Sequence, residues 1–228
     1  MAWFKHRFAK GATEEATKRG VDPYVVLNEL AREIPVGSDG LIVVDYFQGN
    51  RTPHTDPLVR GMIWGLALGH TEGHLFRAIL EGICYGTEHI FRTFRSHEFV
   101  PTEILVAGGP TKSDLWMQMH ADVSNVPISF TKITEGPVLG SAILAAAGAK
   151  VYPSVTAAAQ NMVTVERTIQ PDPARHEEYR FYVDRYIETY PLLRDVIHST
   201  VRHAAATGAP AAVPTPAAEA APEVKDQP

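Results

Sequence analysis

An α/β layer domain is what this sequence predicts, on three observations. Short apolar runs of strand length alternate with helix-periodic segments through the middle of the chain, which is the pattern of a sheet covered by helices. Glycine-rich clusters mark the boundaries between them. Apolar residues make up 45% of the 228 residues, enough for a sizeable core.

The elements follow in order. Asp22-Pro23 offers an N-cap and a proline at the first helical position, opening an amphipathic run through Tyr24, Val25, Leu27, Leu30, Ala31 and Ile34. Gly37-Ser38-Asp39-Gly40 then turns the chain into an apolar strand, Leu41-Ile42-Val43-Val44. A polar loop from Gln48 to Pro57 follows, and Asp56-Pro57 can cap what comes next. From Thr71 onward Leu75, Ile79, Gly82, Ile83, Gly86 and Ile90 share one face, which predicts the central helix of the domain. Beyond it the pattern predicts a strand at Ile104-Leu105-Val106-Ala107, a helix from Ser113 to Ser124, a strand at Pro127-Ile128-Ser129-Phe130 and a helix of small residues from Val138 to Ala149. Asp172 to His203 reads as a long packing helix that Pro191 should kink or end. The domain is thus expected over residues 1–203. Residues 204–228, rich in Ala and Pro and free of aromatics, are expected to form a disordered tail.

Composition narrows the function classes. A net charge of -5 gives no electrostatic reason to bind nucleic acid or an anionic membrane. A single cysteine, Cys84, rules out an internal disulfide framework and a cysteine-built zinc site. No apolar run of about 18 residues is present and Met1 to Phe8 lacks the apolar core of a signal peptide, so the expected compartment is the cytoplasm.

Several segments could carry chemistry. The run Val106-Ala107-Gly108-Gly109-Pro110-Thr111-Lys112-Ser113-Asp114-Leu115-Trp116-Met117-Gln118 takes a strand into a Gly-Gly turn and out through a helix. Two residues without side chains at such a turn let a nucleotide approach the backbone, although the same pattern also serves ordinary strand-to-helix turns. Gly136 and Gly140 open a helix of small residues that suits close packing. The loop Gly49-Asn50-Arg51-Thr52-Pro53-His54-Thr55-Asp56-Pro57 is the segment richest in hydrogen-bonding groups. Arg51 could reach a phosphate or pair bidentately with Asp56, and the pair is favoured. His70 and His74 stand four apart, but not in the His-Glu-x-x-His order of a zinc protease, and no metal site is assigned to them. Arg77 and Glu81 most simply form a helix pair, with Glu81 supporting a buried network. Cys84 reads as a small buried side chain.

Taken together, Gly61-Met62-Ile63-Trp64-Gly65-Leu66, then His74-Leu75-Phe76-Arg77-Ala78-Ile79-Leu80-Glu81 after seven residues, and then the Gly-Gly turn resemble the C-terminal domain of the FGGY carbohydrate kinases. The loop of form Gly-x-Arg-x-Pro-x-x-Asp-Pro matches that family too. The resemblance covers about Trp3 to His203 and implies the actin-like ATPase (ribonuclease H-like) fold, incomplete at its N-terminal end. It implies ATP and Mg²⁺ as cofactors, with Gly108, Gly109 and Ser113 at the adenine, ribose and nearby phosphate. Gln118 would face the same cleft, Gly140 would close its wall, and Arg51 and Asp56 would shape the inter-domain cleft. Pro110 departs from the small residue often seen there and removes a backbone donor.

A family kinase is about twice this length. Its catalytic aspartate lies in a Gly-Asp-Gln type motif and a Thr-Gly hairpin meets the phosphates, both upstream of the segment seen here. No Gly-Asp dipeptide occurs in this chain. The expectation is therefore a kinase fragment supplying the ATP-side lobe for transfer of the γ-phosphate to a sugar or polyol, inactive alone, with a separately encoded N-terminal lobe as its partner. Self-association into a homo-oligomer is a further expectation from the resemblance. The alternatives are a non-catalytic nucleotide-binding or interaction module and a decayed kinase remnant. ATP binding without sugar-dependent turnover marks the first, and insolubility without a partner marks the second.

Overall fold

The computed structural model describes residues 1–207. Two helices that the periodicity missed come first, α1 (Ala2–Phe8) and α2 (Lys10–Arg19); α2 buries only Ala12 and Ala16, too little apolar signal to stand out from its charged neighbours. The predicted cap then appears as read: the Asp22 carboxylate accepts from the Tyr24 N–H and Pro23 opens α3 (Pro23–Arg32). A single 3₁₀ turn at Ser38–Gly40 delivers the chain into β1 (Ile42–Val44), which is buried throughout. Its antiparallel partner β2 (Met62–Trp64) pairs Ile42 with Trp64 and Val44 with Met62.

The central helix α4 (Glu72–Ser96) runs 25 residues across the middle of the molecule. Its start is a capping box in which Thr71 accepts from the backbone of His74 while the His74 ring accepts from the Thr71 N–H. Gly82 is where α4 passes closest to β1: a Cβ there would collide with the Val43 carbonyl, so only glycine permits this approach. Phe76, Ile79, Leu80, Cys84 and Tyr85 of α4 join Leu27, Val43, Val44, Tyr179 and Tyr186 in one main core.

The second layer is a three-stranded sheet in the order β3, β4, β5. Strand β3 (Ile104–Val106) is parallel to β4 (Ile128–Thr131), and β4 is antiparallel to β5 (Val165–Ile169). Helix α5 (Asp114–Ser124) connects β3 to β4 and packs Met117 and Ala121 on Ile128 and Phe130. Helices α6 (Gly136–Gly148) and α7 (Val155–Met162) share a small core of Leu139, Ile143 and Ala158. Strand β5 and helix α7 escaped the sequence reading because β5 is largely exposed, with Glu166, Arg167 and Thr168 between its ends, and α7 buries only Ala158.

The last helix, α8 (Pro173–Ala206), does not end at Pro191, one of the two outcomes expected of that proline. Tyr186, Thr189 and Tyr190 are buried on the preceding turn, so tertiary packing holds the helix where its local ladder is weakest. It also extends past His203, so Ala204 to Ala206 are helical rather than part of a tail. The remainder of the expected disordered segment, residues 208–228, lies outside the described residues. No helix among the described residues is long and apolar enough to cross a membrane.

Candidate functional site

Strand β3 ends in a backbone conformation that its sequence dictates. Gly108 has φ 87° and ψ -164°, a region open essentially to glycine alone. Its N–H donates to the Thr134 carbonyl at 2.9 Å, and a Cβ on Gly136 would meet the Ala107 methyl at 3.0 Å. The turn after β3 therefore lies directly against the link that opens α6. Gly109 begins a 3₁₀ turn through Lys112, and the Thr111 hydroxyl donates to the Gly108 carbonyl at 2.6 Å. A Cβ placed on Gly108, Gly109 or Gly140 meets nothing within 4 Å. These three glycines thus bare backbone toward open space, close to the N-terminus of α6, the arrangement that accommodates a phosphorylated ligand against main chain.

Ser113 and Gln118 are otherwise engaged. The Ser113 hydroxyl caps α5 by accepting from the Trp116 N–H, and donates to Asn28 Oδ1 at 2.8 Å, tying α5 to α3. The Gln118 amide donates to Asp122 Oδ1 at 2.7 Å and to the Gln170 carbonyl at 3.0 Å, at the junction of α5 with the segment leading into α8. Asp122 also accepts from the Asp172 N–H, so Gln118 serves a joint between elements. Asn28 and Thr134 were invisible to sequence reasoning, because each acts through a partner fixed only by the fold.

The polar loop holds the clearest correction. Arg51 and Asp56 do not pair: the Arg51 guanidinium makes no hydrogen bond or ion pair among the described residues and is exposed. Asp56 is buried instead, its Oδ1 accepting from Leu58 N–H and Val59 N–H at 2.9 and 3.2 Å, its Oδ2 from the Tyr190 hydroxyl at 2.9 Å and from His198 Nε2 at 2.6 Å. Burial alone would raise this carboxyl, but His198, the Leu58 N–H and Tyr190 outweigh it and hold it at about 2. The loop itself closes through reciprocal backbone bonds between Asn50 and Asp56, with Asn50 Oδ1 accepting from the His54 N–H. His54 stacks on Tyr190 with ring centroids 4.0 Å apart, and burial lowers its pKa. The helical face containing Tyr190 was legible in the sequence; His198, two turns further on, carried no signal.

The Arg77 and Glu81 pair is formed as expected and is the centre of a buried network. Glu81, 1% exposed, accepts from Arg77 Nε, Ser38 Oγ, the Gly37 N–H and the Tyr179 hydroxyl at 2.8–3.2 Å. Arg77 also donates to the Ala31 carbonyl, so this one cluster joins α3, the turn before β1, α4 and α8. Burial pushes the Glu81 carboxyl up against the pull of Arg77 and Ser38. Cys84 is buried and free. His74 bonds Asp39 at 3.1 Å besides Thr71, and no group of three or more His, Cys, Asp or Glu able to hold a metal occurs among the described residues.

This fold is that of the C-terminal domain of an actin-like ATPase. Residues 1–149 match the C-terminal domain of the FGGY family of carbohydrate kinases, and the chain belongs to that family. It is 30% identical over 196 residues to a xylulose kinase of Bacillus subtilis, covering 86% of this chain and 37% of the relative. It is 37% identical over 192 residues to a ribulokinase of Mycolicibacterium smegmatis, covering 83% of this chain and 34% of that protein. Among solved structures, the xylulose kinase from Rhodospirillum rubrum superposes with a TM-score of 0.70 at 30% identity over 83% of this chain and 37% of its own. The ligand-bound xylulose kinase from Lactobacillus acidophilus shares the fold, with a TM-score of 0.73 at 24% identity, covering 85% of this chain and 37% of that one. The chain spans about a third of the length of the relatives it matches.

Proposed function

We propose that this chain supplies the ATP-side domain for phosphorylation of a sugar or polyol, the γ-phosphate passing to an acceptor hydroxyl held by a complementary N-terminal lobe. The observation that carries the reading is the turn at Gly108, whose glycine-only geometry and open surface at Gly108, Gly109 and Gly140 suit a nucleotide lying against backbone. In this reading Ser113 fixes the pitch of α5 beneath the turn, and Gln118 holds that helix to α8. Mg²⁺ would arrive with the nucleotide and offset the charge of its phosphates; no residue of this chain is assigned to it. Asp56 would shape the cleft loop by anchoring it to α8, leaving the exposed Arg51 available to an anionic group across the cleft.

A second lobe is favoured by apolar side chains left at the surface. Leu66 and Leu68 follow β2, and Val138 and Leu144 stand out from α6, all well exposed. Phosphoryl transfer also needs a base for the acceptor hydroxyl, and the reading places it on that lobe. The test combines the chain with the N-terminal lobe of a related pentulose kinase and measures ADP release with xylulose, ribulose and glycerol. Sugar-dependent turnover that requires both polypeptides is the expected result. ATP binding without turnover in any combination would replace this reading with a non-catalytic nucleotide-binding module.

A further inference from the structure

The C-terminal ends of α4 and α5 and the first turns of α8 line a cavity of about 420 Å³ that shares no residue with the glycine turn. The volume falls within the range of about 300–1,000 Å³ usual for small-molecule sites. Arg92, Arg95 and Arg180 carry its charge, with Glu88 as the one carboxylate among the described lining residues, and Val100 and Pro101 supply apolar surface.

One carboxylate does not balance three guanidinium groups. Glu88 is 5% exposed, and its Oε1 accepts from Arg92 Nε at 3.3 Å and from Arg95 Nη1 at 2.7 Å, so a single buried oxygen holds two arginines side by side. The remaining counter-charges stand outside the lining. Asp184 accepts from Arg92 at 2.6 Å and Glu177 from Arg180 at 2.9 Å, and these carboxylate side chains are 49% and 70% exposed. Exposed pairs of this kind are screened by water and interact weakly, so the cavity keeps a positive surplus. The ends of α4 and α5 bring carbonyl charge of the opposite sign, and Arg95 takes up part of it by donating to the Ser124 carbonyl at 3.2 Å.

The arginines are also within reach of a ligand. Their side chains are 37%, 33% and 59% exposed for Arg92, Arg95 and Arg180. Arg92 Nη2, Arg95 Nε and both Nε and Nη2 of Arg180 make no hydrogen bond among the described residues. Planar guanidinium forks with spare N–H groups match the oxygens of a phosphate, which is why arginine predominates where such groups are bound.

We infer that this cavity binds a small phosphate monoester, its phosphate oxygens accepting from Arg92, Arg95 and Arg180 and its carbon skeleton lying on Val100 and Pro101. A neutral ligand leaves the arginine surplus unmet, and bare phosphate leaves the apolar surface uncovered. None of the residues assigned to the nucleotide takes part, so the site stands or falls independently of the kinase reading. Calorimetric titration of the full chain with phenyl phosphate tests it, with inorganic phosphate and phenol as comparison probes. Saturable binding of phenyl phosphate, tighter than that of inorganic phosphate and absent for phenol, is expected. Arg92→Gln and Arg180→Gln should each weaken it about tenfold, the loss of a hydrogen bond to a charged group. Arg180→Gln alters an exposed side chain and keeps the test valid if Arg92→Gln disturbs the pairing of Glu88. Arg194→Gln, which removes the same charge from α8 away from the cavity, should leave the affinity unchanged. Absence of phenyl phosphate binding, phenol or inorganic phosphate binding as tightly, or an affinity that Arg180→Gln lowers no more than Arg194→Gln does would overturn the assignment.

Discussion

Two buried carboxylates do different work in this chain. Asp56 is held at about 2, below its ordinary 3.8, so its ionised form stabilises the folded state; that contribution is complete above pH 4 and fades as the pH falls toward 2. His198→Ala removes its shortest bond. The melting temperature of that variant should fall below that of the parent at pH 5, and the gap should narrow between pH 4 and pH 2 as Asp56 protonates in both proteins; thermal melts across that range would show it, and a gap of constant size would count against the assignment. Glu81 is the more costly residue to lose. Glu81→Ala leaves Arg77 buried without its carboxylate, a change that typically costs about 3–5 kcal/mol, measurable by urea unfolding. Both carboxylates were picked out in the sequence, Glu81 with its i, i+4 arginine and Asp56 with Arg51. Only the first partner was right. The Arg77–Glu81 pair is local to one helix, whereas the true partners of Asp56, Tyr190 and His198, lie more than a hundred residues away and are chosen by the packing of α8.

At the scale of elements, the strands and helices with strong apolar periodicity were legible and the weakly buried ones were not. Helices α3, α4 and α5 and strands β1, β3 and β4 carry their own patterns and caps; α2, α7 and β5 bury too few side chains to be read without their neighbours. Glycine spacing identified the turn after β3 and the start of α6, but not that they touch, which the Gly108 to Thr134 bond and the approach of Gly136 to Ala107 reveal. The glycines also separate packing from binding. Gly82→Ala pushes a methyl into the Val43 carbonyl and should destabilise the α4 to β1 contact by about 1–3 kcal/mol in chemical denaturation. Gly140→Ala meets no neighbour within 4 Å and improves helix propensity, so it should stabilise the protein by up to about 1 kcal/mol. If the nucleotide lies over this face, the same substitution weakens ATP binding. Higher stability with lower affinity is a combination that a purely structural role for Gly140 would not produce.

The whole molecule is organised around α4, which carries the main core on one side and, through α5, the sheet that presents the glycine turn. The anchoring of the loop by Asp56 ends on α8, and the start of α8 is tied to α5 through Asp122, so that helix would link the loop to the nucleotide-facing layer in the proposed enzyme. The exposed leucines after β2 and along α6 are the surface a complementary lobe would cover, and mixing the two polypeptides should protect amides in those segments from hydrogen exchange. In the proposed enzyme the turn at Gly108 receives ATP, and amide NMR of the chain titrated with ATP and Mg²⁺ would report it residue by residue. Saturable shifts at Gly108, Gly109 and Gly140, with the Asp56 loop undisturbed, are the predicted result. An unchanged spectrum, or shifts confined to residues away from those glycines, would contradict it.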